Sequence, residues 1–242
     1  MFHYVSASRT CVSTSNDGFA LVESEHLPGA GEAPAHERVY LALRERILFG
    51  GFQPGRPVTL RGLAESLGVS PMPVREAVRR LIAQRALELH DNRRVSVPAM
   101  TARKFDEIVF ARLALEPELA ARALPRMGEA EIAEISRIDD GIETAMERGD
   151  PEGYMRSNHA FHATIYNLAE SETLGALVDS VWLQFGPFMR TVYGRVGTSN
   201  LEDQHQKAIA AIQKQDGEVL KAAITEDIMQ GMRFIGETAF RR

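Results

Sequence analysis

Residues Leu60 to Leu81 read LRGLAESLGVSPMPVREAVRRL, and this stretch decides the fold. It divides into two short helices around a tight turn. Ala64 is small enough to let the helices cross closely. Gly68 in the turn takes φ > 0 at little steric cost. Ser70 is a helix N-cap residue and Pro71 suits the first helical position. Val74, Ala77, Val78 and Leu81 form an apolar stripe, and Arg75, Arg79 and Arg80 lie largely off it. Turn, cap and periodicity agree on a helix-turn-helix whose second helix is rich in arginine.

Working outward, a helix is expected from about His36 to Phe49, with Val39, Leu43, Ile47 and Leu48 at helical spacing. Gly50-Gly51 ends it and Gln53-Pro54-Gly55 is a turn. Beyond the second helix, Leu87-Glu88-Leu89 and Val95-Ser96-Val97 are short alternating segments around a polar, basic tip, Asp91-Asn92-Arg93-Arg94. Three helices and a two-stranded wing make a winged helix-turn-helix over residues 35–99. Residues 1–34 are rich in Ser, Thr, Gly and Ala, without a sustained period, and are expected to be a disordered tail.

From Thr101 on there are helix signals and no strand signals, so residues 100–242 are expected to form a bundle of six helices. Thr101 caps the first, to about Leu124, with Pro117 expected to kink or split it. The others run about Glu129 to Arg148, Asp150 to Ala169, Glu172 to Arg195 with Pro187 inside, a capping box at Ser199 and Glu202 to Gln215, and Gly217 to Phe240. The fold class is mainly α.

Charge separates the two halves. The chain of 242 residues has a net charge of −5. Residues 35–100 hold 11 Arg, no Lys and 6 acidic residues, a net +5, while residues 1–34 carry −3 and residues 101–242 carry −7. A positive segment beside an acidic one implies polyanion contact in the first and another task in the second. The single cysteine excludes an intramolecular disulfide and a thiolate metal motif. No apolar run approaches the about 18 residues of a membrane span, and no signal peptide is evident, so a cytoplasmic location is expected.

A helix that reads the major groove places long donors against base edges near its N-terminus. Arg75 lies one turn into the second helix, and Ser70 and Met72 open it. Arg61 begins the preceding helix and reaches a phosphate or the groove edge. Arg79 and Arg80 are expected on the backbone, and Arg93 and Arg94 in the neighbouring minor groove. In the helical half, Asn158 and His162 are four apart and share a face, with His205 and Asp227 on the last two helices. Imidazoles and a carboxylate converging in a bundle make a divalent metal site. Spacing alone leaves a hydrogen-bonded core histidine as the ordinary alternative.

Residues 36–98 resemble the GntR family of bacterial transcriptional regulators, whose signature "VREAxRRL" matches Val74-Arg75-Glu76-Ala77-Val78-Arg79-Arg80-Leu81. The helical half, with ARLALEPELAARAL from Ala111 to Leu124, resembles the effector domain of the FadR/FCD subfamily, and six helices point to its VanR-like branch. Two departures stand in the reading half. Many relatives carry a DNA-contacting arginine where this chain has Pro71, and a wing-tip glycine where it has Arg93-Arg94. Metal-binding FCD members place Asp or Asn four residues before a His, then a His on each of two later helices. By position this maps to Asn158, His162, His205 and Asp227 and keeps one carboxylate.

The resemblance therefore implies a homodimeric regulator, a repressor, on a palindromic operator in double-stranded DNA. It also implies a small carboxylate effector beside a divalent ion, zinc or nickel in the first place, with Arg112 and Arg190 as candidates to pair with the effector; a salt bridge to Glu116 or a surface position is the alternative for these arginines. Ligand type does not choose the metal. The alternative is a metal-dependent hydrolase using the His162/His205/Asp227 cluster, against which stands the lack of a general base or nucleophile motif.

Overall fold

The computed structural model describes residues 34–189 and 203–240. The N-terminal part comprises α1 (Ala35–Leu48), β1 (Val58–Thr59), α2 (Leu60–Ser66), α3 (Pro71–Ala83), β2 (Glu88–Leu89) and β3 (Arg94–Ser96). The first helix lies across α3, and the interface is filled by Val39, Leu43 and Ile47 from α1 and Val74, Ala77, Val78 and Leu81 from α3. Leu81 is fully buried, and its truncation to alanine is expected to cost about 2–5 kcal/mol.

The turn between α2 and α3 forms as the sequence requires. Gly68 has φ +63°, and Thr59 caps α2 by accepting from the Gly62 amide at 2.9 Å. Ser70 holds the N-cap position of α3 in extended conformation, yet its side chain makes no capping bond. Pro73 stands third in the helix, where a capped amide would be, and has no N–H to offer.

The wing has three strands rather than two. Val58 and Thr59 pair with Val95 and Arg94, so the antiparallel order is β1-β3-β2. Two residues after a proline are too short a run to show periodicity. At the tip Arg93 takes φ +59°, and the Asn92 side chain accepts from the Arg94 amide at 3.2 Å.

The helical part holds six α-helices among the described residues: α4 (Ala102–Ala123), α5 (Glu129–Arg148), α6 (Pro151–Asn167), α7 (Glu172–Phe185), α8 (Gln204–Gln213) and α9 (Gly217–Phe240). Thr101 caps α4, and Asp150 caps α6 by accepting from the Gly153 amide. Gly149, at φ +66°, ends α5. Pro117 neither splits nor ends α4, which runs unbroken through a buried proline while packed against α6, α7 and α9. Pro187 does what Pro117 does not. The helix expected to continue to Arg195 stops at Phe185, and Gly186–Phe188 form a 3-10 turn. The capping box Ser199 and Glu202 lies outside the described residues; α8 is capped by Asp203, which accepts from the Gln206 amide.

The two parts share one continuous core. The α1 helix leans on α7 and the turn after it. A Cβ on Gly186 would stand 3.2 Å from the Leu48 carbonyl oxygen, tighter than an ordinary contact, so a side chain here would push α1 outward by a few tenths of an ångström. The Arg44–Asp179 pair at 2.9 Å and the bond from Ser180 Oγ to the Gln84 carbonyl oxygen at 3.1 Å tie the same seam. No described helix is long and apolar enough to cross a membrane.

Candidate functional sites

On the reading face, Ser70, Met72, Arg75 and Arg79 are exposed along α3, and Met72 keeps 68% of its surface. The buried stripe of α3 faces α1, so these side chains necessarily face away from the core. Arg61 is exposed at the start of α2 and pairs with Glu65 at 2.8 Å, a weak contact that a phosphate can replace. Arg93 and Arg94 are exposed at the wing tip. Arg80 departs from the group. Its guanidinium pairs with Glu37 at 2.7 Å and covers the Tyr40 ring at 3.6 Å from the centroid. One residue beyond Arg79 is about 100° further around the helix, which brings Arg80 against α1, although its side chain stays half exposed.

Inside the bundle, α6, α8 and α9 bring His162, His205 and Asp227 together. One ligand atom from each lies within 4.8 Å of the others. His162 Nε2 is 3.1 Å from Asp227 Oδ2, and His205 Nε2 is 3.4 Å from Asp227 Oδ1. Neither contact has hydrogen-bond geometry, so both Nε2 atoms are buried without a hydrogen bond. Asn158 is buried one turn before His162 on α6. Asp227 is the accessible member, at 24% side-chain exposure.

The outer nitrogens are engaged. His205 Nδ1 is 2.9 Å from Asp139 Oδ1, and the other Asp139 oxygen accepts from Gln206 Nε2 at 2.6 Å. Phe161 stacks on the His205 ring at 4.0 Å and 14°. His162 Nδ1 is 3.1 Å from the Tyr166 hydroxyl, which donates to Glu116 Oε2 at 2.9 Å. Arg112 completes the chain by donating to both Glu116 oxygens, at 2.6 and 3.2 Å. It is 4% exposed and covered by Phe185 and Trp182. Of the two arginines expected to meet an effector, Arg112 is thus held by Glu116, and Arg190 lies outside the described residues.

The electrostatics follow from this packing. Burial works to lower the His205 pKa, but Asp227 and Asp139 outweigh it and raise it to about 10. Burial works to raise Asp227, but His205 and then His162 hold its carboxyl well below the usual range. Burial, then the Glu116 charge, pushes Tyr166 well above its ordinary value, so its hydroxyl stays protonated and donates. Next along α6, burial with Arg44 and His162 nearby lowers His159 to about 4.

This donor set fits a divalent cation. Without a cation, the proton that Asp227 and Asp139 hold on His205 offsets the Asp227 charge, and a divalent cation would take that proton's place between the two Nε2 atoms and the carboxylate. Asp139 and Tyr166 were not among the expected site residues, and Glu116 was expected only as a salt-bridge partner of Arg112. The signal was present: Asp139 interrupts the stripe of Ile135 and Ile142 on α5, and Glu116 falls beside Leu119 and Ala120 on α4, where an acid has no solvent.

With a winged helix on top of this bundle, the comparisons agree at both ends. Residues 35–97 match the bacterial regulatory proteins of the gntR family, and residues 107–229 match the FCD domain. The chain belongs to the GntR family of transcriptional regulators and carries an FCD domain. It is 27% identical over 196 residues to the HTH-type transcriptional regulator McbR of Escherichia coli, covering 80% of this chain and 89% of McbR. It is 28% identical to the HTH-type transcriptional repressor GlaR of the same organism, over 73% of this chain and 84% of GlaR. The McbR/YncC structure superposes with a TM-score of 0.79 at 26% identity, covering 86% of this chain and 99% of that one. A GntR regulator from Rhodococcus sp. RHA1 shares the fold, with a TM-score of 0.70 at 22% identity, over 86% of this chain and 99% of that one. The family is one of DNA-binding regulators rather than enzymes, and the hydrolase alternative falls with that finding.

Proposed function

We propose that this GntR regulator is a ligand-responsive repressor that binds a palindromic operator as a homodimer. In this reading Asn158, His162, His205 and Asp227 hold a divalent cation, zinc or nickel in the first place, and a small carboxylate is the effector. The observation that carries it is the convergence of His162, His205 and Asp227 in a bundle packed directly against a winged helix.

A single winged domain reads one half-site, and a two-fold pair reads a palindrome. Ser70, Met72 and Arg75 face base edges, Arg61, Arg79 and Arg94 the phosphates, and Arg93 the minor groove. The direction of control follows relatives such as GlaR, which is named a repressor. Acting on chromosomal DNA, the protein works in the cytoplasm.

A cation bound here would supply positive charge to attract a carboxylate. The partial exposure of Asp227 is the side from which a small acid would approach the cluster. Arg112 commits its Nε and an Nη2 donor to Glu116, so its part toward such an anion is mainly through its charge. The effector shifts DNA binding only to the extent that it binds one domain arrangement better than the other.

The test begins with duplexes selected from a random library by the purified full chain. Binding to the enriched palindrome is then measured with and without zinc or nickel, across a panel of small organic acids. A dimer in solution, a selected palindrome and an acid that changes its affinity are the expected results. Failure to enrich any sequence, or a monomer on the selected DNA, overturns the reading.

A further inference from the structure

The cluster is surrounded by two hydrogen-bond arms, one for each imidazole, and they come from different helices. The first is Asp139 on α5, which accepts a hydrogen bond from His205 Nδ1 and is itself fixed by Gln206. The second runs from Arg112 and Glu116 on α4 through Tyr166 to His162 on α6.

The proton positions in the second arm follow from its chemistry. Arg112 can only donate, so Glu116 is an ionised acceptor. Glu116 accepts the Tyr166 proton, which leaves the Tyr166 oxygen as the acceptor for His162. His162 therefore carries its proton on Nδ1, and its Nε2 lone pair points at Asp227. In the first arm Asp139 accepts from Nδ1, so His205 keeps its Nδ1 proton when a cation displaces the one on the inward-turned Nε2. Stacking on Phe161 fixes the His205 plane.

We propose that Asp139 and the Glu116–Tyr166 pair are positioning residues for cation binding, setting both histidines as Nε2 ligands. This rests on the cation-site reading above. The two arms are unequal. His205 is held by a carboxylate, which raises the basicity of its inward nitrogen, whereas His162 is held by a neutral phenol one step removed from a charge. The stronger dependence falls on Asp139.

The experiment uses the metal-free full chain, with cobalt(II) as a coloured probe and zinc affinity measured by competition with a chromophoric chelator. Wild type is compared with Asp139→Asn, Asp139→Ala and Tyr166→Phe. Asp139→Ala is expected to weaken zinc binding roughly 10–100-fold and to change the cobalt visible spectrum. Asp139→Asn retains an acceptor for Nδ1–H and recovers part of that loss, which a merely structural role would not predict. Tyr166→Phe removes the acceptor for His162 and is expected to weaken binding by about tenfold. Thermal unfolding without metal establishes that each variant folds; if Asp139→Ala does not, Asp139→Asn and Tyr166→Phe decide. Wild-type binding with unchanged affinity and spectrum in the folded variants overturns the positioning assignment alone. No uptake by wild type overturns the cation site itself, and this assignment with it.

Discussion

The Phe49 ring meets the edge of His159 at 5.7 Å, and this contact crosses from the end of α1 into the bundle. His159 in turn stands edge-on to Trp182 at 5.0 Å, and Trp182 lies 5.5 Å from His162. Arg156 clamps the junction: its guanidinium covers Phe49 at 4.5 Å and pairs with Glu45 and Glu152. Packed rings thus run without a gap from the candidate cation site to the helix that supports α3.

Phe49→Ala removes the ring that closes this junction. Because Phe49 is only partly buried, the stability loss is expected to be about 2 kcal/mol, below the cost at a full core site. Cation affinity should stay near the wild-type value, while any cation- or effector-dependent change in operator affinity shrinks. Equilibrium unfolding and operator titration separate the two effects. An unchanged response in the variant argues that the domains communicate elsewhere.

Trp182 is the single tryptophan of the chain, and its distance from His162 makes it an internal reporter. Titration of the metal-free protein with a paramagnetic ion such as nickel or cobalt is expected to quench its emission to saturation. His162→Ala should abolish the saturable part. Quenching that persists in that variant places the bound ion somewhere other than the cluster.

The same rings explain what the sequence could and could not show. The stripe Val74, Ala77, Val78 and Leu81 and the glycine at Gly68 act within a few residues of one another, so pattern alone places α2, the turn and α3. Pro117 acts through packing on α4 from distant helices, and its local rule, to break a helix, is overridden by that packing. His162, His205 and Asp227 sit on three helices, and it was the family resemblance, rather than spacing, that singled them out. The Asp139–His205 bond joins residues 66 apart, so the stripe on α5 marks Asp139 as an acid on the buried face but cannot name its partner.

Arg75 and Arg80 are expected to separate specificity from stability. Arg75→Ala should lose about 1–3 kcal/mol of discrimination at one base pair of each half-site, with the fold intact. Arg80→Ala should leave operator preference unchanged. It removes an exposed ion pair and a ring contact, so the stability loss is expected to be about 1 kcal/mol. Competition binding against single-base operator variants, run beside urea unfolding, reads both. Loss of base discrimination in Arg80→Ala with normal stability reverses the assignment.

Arg93 holds a conformation suited to glycine. Its φ of +59° lies in the left-handed region, which costs a non-glycine residue about 1 kcal/mol. The turn survives because the Arg93 amide donates to the His90 carbonyl at 3.0 Å, the His90 amide donates to the Arg94 carbonyl at 2.8 Å, and Asn92 bonds the Arg94 amide. The strain keeps a second positive charge at the wing tip. Arg93→Gly is therefore expected to gain up to about 1 kcal/mol of stability, less the entropy glycine loses on folding. The same variant should bind operator more weakly and with a shallower salt dependence, by roughly one phosphate-equivalent charge. Asn at the position, which tolerates this φ, should behave like Gly on both counts. If Arg93→Gly binds DNA with the wild-type salt slope, Arg93 does not touch the duplex, and the arginine is retained against its strain for another reason.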